Sequence, residues 1–152
     1  MTTVSRRVLI SAPRDSVRRY LSDLREIANY DPKVEEIVLG EAPDGAGATA
    51  SGRFLGLPWS GTFRFEASPD GGYRGVMVSG PLRGMESRVA VRSVVGGTVV
   101  ENVETYDLPF LLKPLSLFLR AWLASALESK LGAVKEGAEA LNRRLQLQSL
   151  DV

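Results

Sequence analysis

Polar side chains on a predicted strand near residue 100 are the first candidates for chemistry. Glu101, Asn102, Glu104 and Tyr106 place polar groups on both faces of this strand, because successive side chains of a strand point to opposite faces. At least one of them should therefore point inward in either register. A buried carboxylate is costly unless it is paired. A paired one could orient a ligand or, with a shifted pKa, act as a general acid or base.

The expected partners of an inward carboxylate are arginines on neighbouring strands, namely Arg53, Arg64 and Arg88. The alternative is a ladder of Glu and Arg side chains on the solvent face, which is common between antiparallel strands. The ladder is the interpretation that the pattern favours. No catalytic residue is therefore assigned from the sequence.

Two residue types that usually carry chemistry are absent. The chain has no Cys and no His, which removes a Cys or His nucleophile, an imidazole base, a thiolate or imidazole metal site and a disulfide. We expect neither a metal nor a cofactor. Residues 45–50 match the dinucleotide-binding fingerprint in spacing, but a strand pattern follows instead of the helix that this site requires. We interpret the segment as a turn that enters a strand.

The overall charge argues against a polyanionic partner. The 19 basic and 18 acidic residues give a net charge of +1, so no bulk attraction draws the chain to nucleic acid. No uncharged apolar stretch approaches the roughly 20 residues of a membrane span. We therefore expect a cytoplasmic location without stable membrane insertion.

Apolar side chains are the candidates for binding. Trp59, Phe63 and Phe65 share one face of a predicted strand, and such a row either lines an apolar ligand cavity or fills a core. From the pattern alone a filled core is favoured, although nearby Gly52, Gly56 and Gly61 leave space that suggests a cavity. The predicted ligand-binding residues are Phe54, Trp59, Phe63, Phe65, Met85, Tyr106, Leu119 and Trp122.

The order of predicted elements indicates one α+β domain over residues 1–152. A strand over 4–11 precedes one bent helix or two short helices over 13–30, which must stop before Pro32. Turn clusters at 42–45, 57–58, 68–72 and 80–81 then separate short antiparallel strands. A hairpin at Gly96-Gly97 leads into a strand over 98–108, and leucines at helical spacing predict a helix of about 30 residues over 115–145.

Five short stretches resemble the START-like or SRPBCC superfamily, which includes polyketide cyclases and lipid-transfer domains. They are ISAPRDSV at 10–17, LSD at 21–23, YDPKV at 30–34, GGTVV at 96–100 and YDLP at 106–109. The resemblance implies a helix-grip fold, in which a curved antiparallel sheet of about six or seven strands wraps round the C-terminal helix. It also implies an internal cavity for lipids, polyketides or other apolar molecules. The nearest sub-branch is the CoxG-like group, which is associated with carbon monoxide dehydrogenase.

Three functions follow from this resemblance. The favoured one is a carrier of a hydrophobic small molecule, which needs only a cavity. The second is a cyclase or dehydratase in which Tyr106 or Glu104 moves a proton alpha to a carbonyl. The third is an accessory protein of a larger complex, with a protein partner bound at the apolar residues 108–119. That stretch could instead be a cavity lid, a peripheral membrane contact or the buried start of the long helix.

Overall fold

The computed structural model describes residues 1–40 and 47–150. Its elements are β1 (Thr2–Ile10), α1 (Arg14–Ser22), a 3-10 turn (Leu24–Glu26), α2 (Ile27–Tyr30), β2 (Val34–Leu39), β3 (Gly47–Phe54), β4 (Leu57–Ala67), β5 (Tyr73–Ser79), β6 (Glu86–Val94), β7 (Gly97–Tyr106), a second 3-10 turn (Phe110–Leu115) and α3 (Ser116–Leu150). The predicted α+β organisation is confirmed.

The seven strands form one antiparallel sheet in the order β1-β7-β6-β5-β4-β3-β2. Consecutive strands from β2 to β7 are neighbours, and β1 closes the far edge beside β7. The long helix α3 packs against β1 and α1. This arrangement is the predicted helix-grip fold, with the short helices between β1 and β2.

Strand alternation determines which side chains of β6 and β7 face the interior of the sheet. On β6 the side chains of Ser87, Val89 and Val91 are buried, whereas Arg88 and Arg92 are exposed. On β7 every second residue is buried, namely Thr98, Val100, Asn102, Glu104 and Tyr106. The register therefore turns Glu104 into the core and leaves Glu101 in solvent.

The C-terminal helix is longer than predicted. It runs over Ser116–Leu150, and the apolar residues before it form the 3-10 turn Phe110–Leu115 instead of the helix's first turn. Pro114 lies inside that turn, which has fewer backbone hydrogen bonds for a proline to break. The buried stripe of α3 consists of Leu119, Leu123, Ala126, Leu127, Lys130, Leu131, Val134 and Ala138.

Glycines that were expected to leave cavity space have other roles. A Cβ at Gly52 would lie 2.0 Å from the carbonyl oxygen of Lys33, and one at Gly61 would lie 2.5 Å from the carbonyl oxygen of Ser79. Both glycines therefore permit close approach of backbones. Gly56 occupies a turn with φ of +79° and faces open space. The expectation that these three glycines leave space for a ligand was wrong.

Two sequence predictions fall on residues near the gap in the described chain. The turn at 42–45 lies outside the described residues. The first residues of the 45–50 segment also lie outside them, and the remainder belongs to β3. The described part of the segment is thus strand, as the pattern predicted.

Candidate ligand-binding cavity

A cavity of about 280 Å³ lies between the inner face of the sheet and the helices. Small-molecule sites typically occupy roughly 300–1,000 Å³ and are mostly apolar, so this space is slightly smaller than that range. Side chains from β3, β4 and β5 form much of its wall, and Pro109 and Leu112 close one side. Six predicted binding residues line it, namely Phe54, Trp59, Phe63, Phe65, Met85 and Tyr106.

The aromatic wall is continuous along β4. The rings of Trp59 and Phe63 lie 6.0 Å apart at 68°, and those of Phe63 and Phe65 lie 6.0 Å apart at 21°. Tyr73 on β5 extends the row, with its ring 5.8 Å from that of Phe65. Edge-to-face and offset contacts of this kind hold rings in fixed orientations. The cavity thus has a preformed aromatic side.

Two predicted binding residues, Leu119 and Trp122, belong to the packed core instead of the cavity wall. Leu119 is fully buried in the core cluster that contains Tyr106 and Leu123. The Trp122 ring packs edge-on against Phe54, with 4.8 Å between ring centroids. Neither residue lines the cavity. A binding role for all eight residues stays a prediction.

The inner end of the cavity is charged. Glu104 on β7 lies with its Oε2 3.2 Å from Lys130 Nζ and its Oε1 3.5 Å from Lys33 Nζ. Asp31 completes the set, because its Oδ1 lies 3.1 Å from Lys33 Nζ and its Oδ2 3.7 Å from Lys130 Nζ. None of the four side chains is more than 8% exposed. We call Asp31, Lys33, Glu104 and Lys130 the charge quartet.

Hydroxyl groups complete the coordination of Glu104. The Tyr106 hydroxyl donates to Glu104 Oε1 at 2.9 Å, and Ser87 Oγ donates to Oε2 at 3.3 Å. Asn102 in turn donates from Nδ2 to Ser87 Oγ at 2.9 Å. A buried carboxylate with this many donors is held in one orientation.

The prediction that arginines pair with the inward carboxylate was wrong. Arg53, Arg64 and Arg88 are all exposed, because strand alternation places them on the outer face of the sheet. Arg88 instead pairs with Glu86, which Arg74 also contacts at 2.9 Å. The favoured interpretation, a solvent-face ladder of Glu and Arg, was therefore wrong for Glu104, and the Glu–Arg contacts on the outer face instead join Arg74 to Glu66 and Glu86. The inward carboxylate takes its partners from a helix and from the corner before β2.

Local structure explains why Lys33 enters the interior. Asp31 Oδ1 accepts a hydrogen bond from the Lys33 backbone N–H at 3.0 Å, which fixes the corner after α2. Trp59 Nε1 donates to the Lys33 carbonyl oxygen at 3.0 Å, and Gly52 allows that carbonyl to approach β3. The backbone is thereby anchored on both sides of the side chain.

Sequence reasoning missed Asp31, Lys33 and Lys130 as site residues. One signal was available for Lys130, since it lies on the apolar stripe of α3 between Leu127 and Val134. A lysine on such a stripe must be paired or reach solvent. For Lys33 the motif YDPKV was recognised only as a family resemblance, and nothing in it indicates which way the lysine points.

The electrostatics of the site keep Glu104, Lys33 and Lys130 charged. Burial alone would raise the pKa of Glu104, but the ammonium groups of Lys130 and Lys33 and the Tyr106 hydroxyl hold it well below its usual range. Burial would lower the pKa of Lys130, and the attraction of Glu104 outweighs it and raises that pKa. The pKa of Tyr106 is raised by burial and by Glu104. At neutral pH the site therefore holds a carboxylate, two ammonium groups and a neutral phenol.

Two further properties of the described chain bear on the site. Across residues 1–40 and 47–150, no three Cys, His, Asp or Glu side chains group together in a way that could hold a metal ion. One helical segment, Phe110–Leu150, is long and apolar enough to cross a membrane by length and composition alone. Its buried stripe packs inside the fold.

A family comparison covers nearly the whole chain. The sequence model of the family described as "Polyketide cyclase / dehydrase and lipid transport" matches residues 1–143. No curated protein sequence matches the chain.

Solved structures share the fold at low identity. A protein of Thermus thermophilus, TTHA0849, superposes with a TM-score of 0.78 at 22% identity, over 91% of this chain and 97% of that one. A START superfamily protein from Mycobacterium smegmatis gives 0.71 at 12% identity, over 95% and 99%. The Zhui aromatase/cyclase from Streptomyces sp. R1128 gives 0.71 at 19% identity, over 90% and 93%. These likenesses show the fold alone.

Proposed function

Because this chain belongs to the polyketide cyclase / dehydrase and lipid transport family, we propose that it binds and carries a hydrophobic small molecule in the cavity between sheet and helices. The family match bears out the START-like resemblance found in the sequence. Membership of the CoxG-like group stays a prediction, as does a cytoplasmic location.

The observation that carries the proposal is the cavity wall. A continuous row of aromatic rings, backed by Met77, Met85 and Ala50, faces a space of about 280 Å³. Burying apolar ligand surface there is favourable by about 25 cal/mol per Å². A wall of this kind needs no further chemistry to hold a lipid or a polyketide-like molecule.

The same geometry weighs against the cyclase or dehydratase alternative. A general acid or base works best when its pKa lies near the operating pH. The surroundings of Glu104 move its pKa down, and those of Tyr106 move its pKa up, so both move away from neutrality. The Tyr106 proton is also committed to Glu104. Carrying therefore fits these residues better than proton transfer.

Filling the cavity should abolish binding. Ala50 is buried on β3 and lines the cavity, so Ala50→Phe places a ring in the space that the ligand would occupy. We expect the neutral probe N-phenyl-1-naphthylamine to bind the unmodified protein with a saturable rise in fluorescence. Ala50→Phe should weaken that binding at least about tenfold, since an overpacked site excludes the ligand.

The matched control is Thr49→Phe, which adds the same ring at an exposed position one residue away. It should bind the probe like the unmodified protein, and circular dichroism should show both variants folded. Equal probe affinity in the two variants would contradict a ligand site in this cavity.

An exposed apolar edge adjoins the cavity. Phe110, Leu111 and Leu117 are 80%, 85% and 83% exposed, while Pro109 and Leu112 of the same turn line the cavity. Residues 108–127 contain two cations, Lys113 and Arg120, and no Asp or Glu. Apolar side chains flanked by cations favour the surface of an anionic bilayer. We therefore assign this edge to peripheral membrane contact, through which a ligand exchanges.

Removing two rings from this edge should release the protein from vesicles. We expect the chain to sediment with vesicles of phosphatidylcholine and phosphatidylglycerol, and less with phosphatidylcholine alone. The double variant Phe110→Ser/Phe118→Ser should lower the apparent affinity for these vesicles at least about tenfold. The reason is that it removes two exposed rings that the bilayer would bury.

Leu147→Ser is the control, since Leu147 is an exposed leucine near the other end of α3. It should sediment like the unmodified protein. Absence of sedimentation with anionic vesicles, or equal sedimentation of the double variant and the unmodified protein, would contradict membrane contact. The alternative interpretation of this edge, a surface that binds a protein partner, would then be favoured.

A further inference from the structure

A second concave space adjoins the aromatic wall. It is a groove of about 600 Å³ between α1 and the end of β4 with the turn that follows it. This volume lies within the range of small-molecule sites. Phe65 and Tyr73 line both the groove and the cavity, so these two side chains separate the two spaces. A molecule in the groove would therefore occupy a place of its own.

The two sides of the groove are tied together. On α1, Arg14 donates to the carbonyl oxygen of Asp70 from Nε at 3.1 Å and from a terminal guanidinium nitrogen at 2.7 Å. A Cβ at Gly71 would overlap the side chain of Arg18, so glycine at this position lets the stem of Arg18 lie directly on the turn. A site whose sides are already fixed loses little freedom when a ligand binds.

Two guanidinium groups beside the groove are available to a ligand. Arg18 and Arg19 line it from α1 and are exposed, and within residues 1–40 and 47–150 neither makes a hydrogen bond or an ion pair. Of the two carboxylates in the lining, Glu66 lies 3.8 Å from Arg74. Asp15, in the first turn of α1, is the other. Two guanidinium groups against one unpaired carboxylate leave one positive charge in excess.

The remaining lining is largely apolar. It includes Leu21, Leu24, Phe65 and Ala67. The ring of Phe65 is partly exposed, so apolar surface is open to a ligand there. An inorganic anion would leave this surface in water, and a neutral apolar molecule would leave the guanidinium groups without an acceptor. The groove therefore suits a molecule that has both an apolar body and a negative charge.

From these observations we infer that the groove is a second ligand site, which takes an amphipathic organic monoanion. The apolar body lies against Leu24 and Phe65, and its carboxylate or sulfonate is held by Arg18 and Arg19. Guanidinium groups bind such oxyanions through parallel, charge-assisted hydrogen bonds. The chain can thus hold a neutral apolar molecule in the cavity and an anionic one in the groove at the same time.

Two fluorescent probes that share one skeleton separate the two sites. The anionic probe 8-anilinonaphthalene-1-sulfonate is N-phenyl-1-naphthylamine with an added sulfonate. We expect saturable binding of the anionic probe to the groove. Ala50→Phe fills the cavity, so it should weaken the neutral probe while the affinity for the anionic probe stays within about twofold. Parallel loss of both probes in Ala50→Phe would place the anionic probe in the cavity and overturn the inference.

The double variant Arg18→Gln/Arg19→Gln tests recognition of the anion. It should weaken the anionic probe at least about tenfold, because charge-assisted hydrogen bonds are lost, and should leave the neutral probe unaffected. Arg6→Gln/Arg7→Gln is the matched control, since it removes the same charge from two adjacent exposed arginines on β1 that do not line the groove. Equal affinity of the two double variants for the anionic probe would overturn the inference.

A measurement on the unmodified protein locates the anionic probe without any substitution. Met77 and Met85 line the cavity and not the groove. With carbon-13 at the methionine methyl groups, saturation with the anionic probe should leave both methyl signals unshifted, and saturable shifts of these signals would overturn the inference. Absence of anionic-probe binding contradicts only the second site, whereas the proposed function fails if the neutral probe does not bind.

Discussion

Replacing Glu104 with Gln is expected to lower the free energy of unfolding by about 3–5 kcal/mol, the usual cost of removing one partner from a buried ion pair. Glutamine keeps the shape and one acceptor for the Tyr106 hydroxyl, but removes the charge that faces Lys33 and Lys130. Asp31 would then be the only carboxylate of the quartet opposite two buried ammonium groups. Urea unfolding followed by circular dichroism measures the change.

The control for this variant lies on the same strand. Glu101 is exposed on β7, so Glu101→Gln should change the free energy of unfolding by no more than about 0.5 kcal/mol. If Glu104→Gln were as mild as its control, Glu104 would not be buried among the ammonium groups as described.

The second large effect concerns Lys130. Lys130→Met should also cost about 3–5 kcal/mol, because it leaves a carboxylate of the quartet in excess. The double variant Lys130→Met/Glu104→Leu restores neutrality and keeps the Asp31–Lys33 pair. The loss of stability in the double variant should be smaller than the sum of the losses in Lys130→Met and Glu104→Leu, by up to about 3 kcal/mol. The reason is that residues in one network are coupled.

The control cycle uses Lys135 and Glu139, a partly exposed pair one turn apart on α3. Pairs at this spacing contribute about 0.3–0.5 kcal/mol, so its coupling should be several times smaller. Additive effects of Lys130→Met and Glu104→Leu would contradict a direct ion pair between those two residues.

Periodicity predicted the elements that frame the cavity. The alternation around Trp59, Phe63 and Phe65 depends only on neighbours along the chain, and the structure gives those three residues one shared surface. The stripe of leucines on α3 is equally local. Both patterns predicted a face correctly because the period of an isolated element determines it.

The charged end of the cavity could not be predicted in the same way. Glu104 was a candidate, but its partners come from residues 71 positions before it and 26 positions after it. Which side chain meets it depends on how the corner at Lys33 is held by Trp59 and Gly52, and those contacts cross three elements. The glycines misled for a similar reason, because a missing side chain looks the same whether a ligand or a backbone fills the space.

The most direct test of ligand binding in this cavity uses the three methionines. Met77 and Met85 line the cavity, whereas Met1 is 95% exposed and does not line it. The protein is labelled with carbon-13 at the methionine methyl groups and titrated with 2-acetylnaphthalene in nuclear magnetic resonance experiments. We predict saturable shifts of the Met77 and Met85 methyl signals at a common affinity, with the Met1 signal unchanged. Unshifted Met77 and Met85 signals at the solubility limit of the probe would contradict the account.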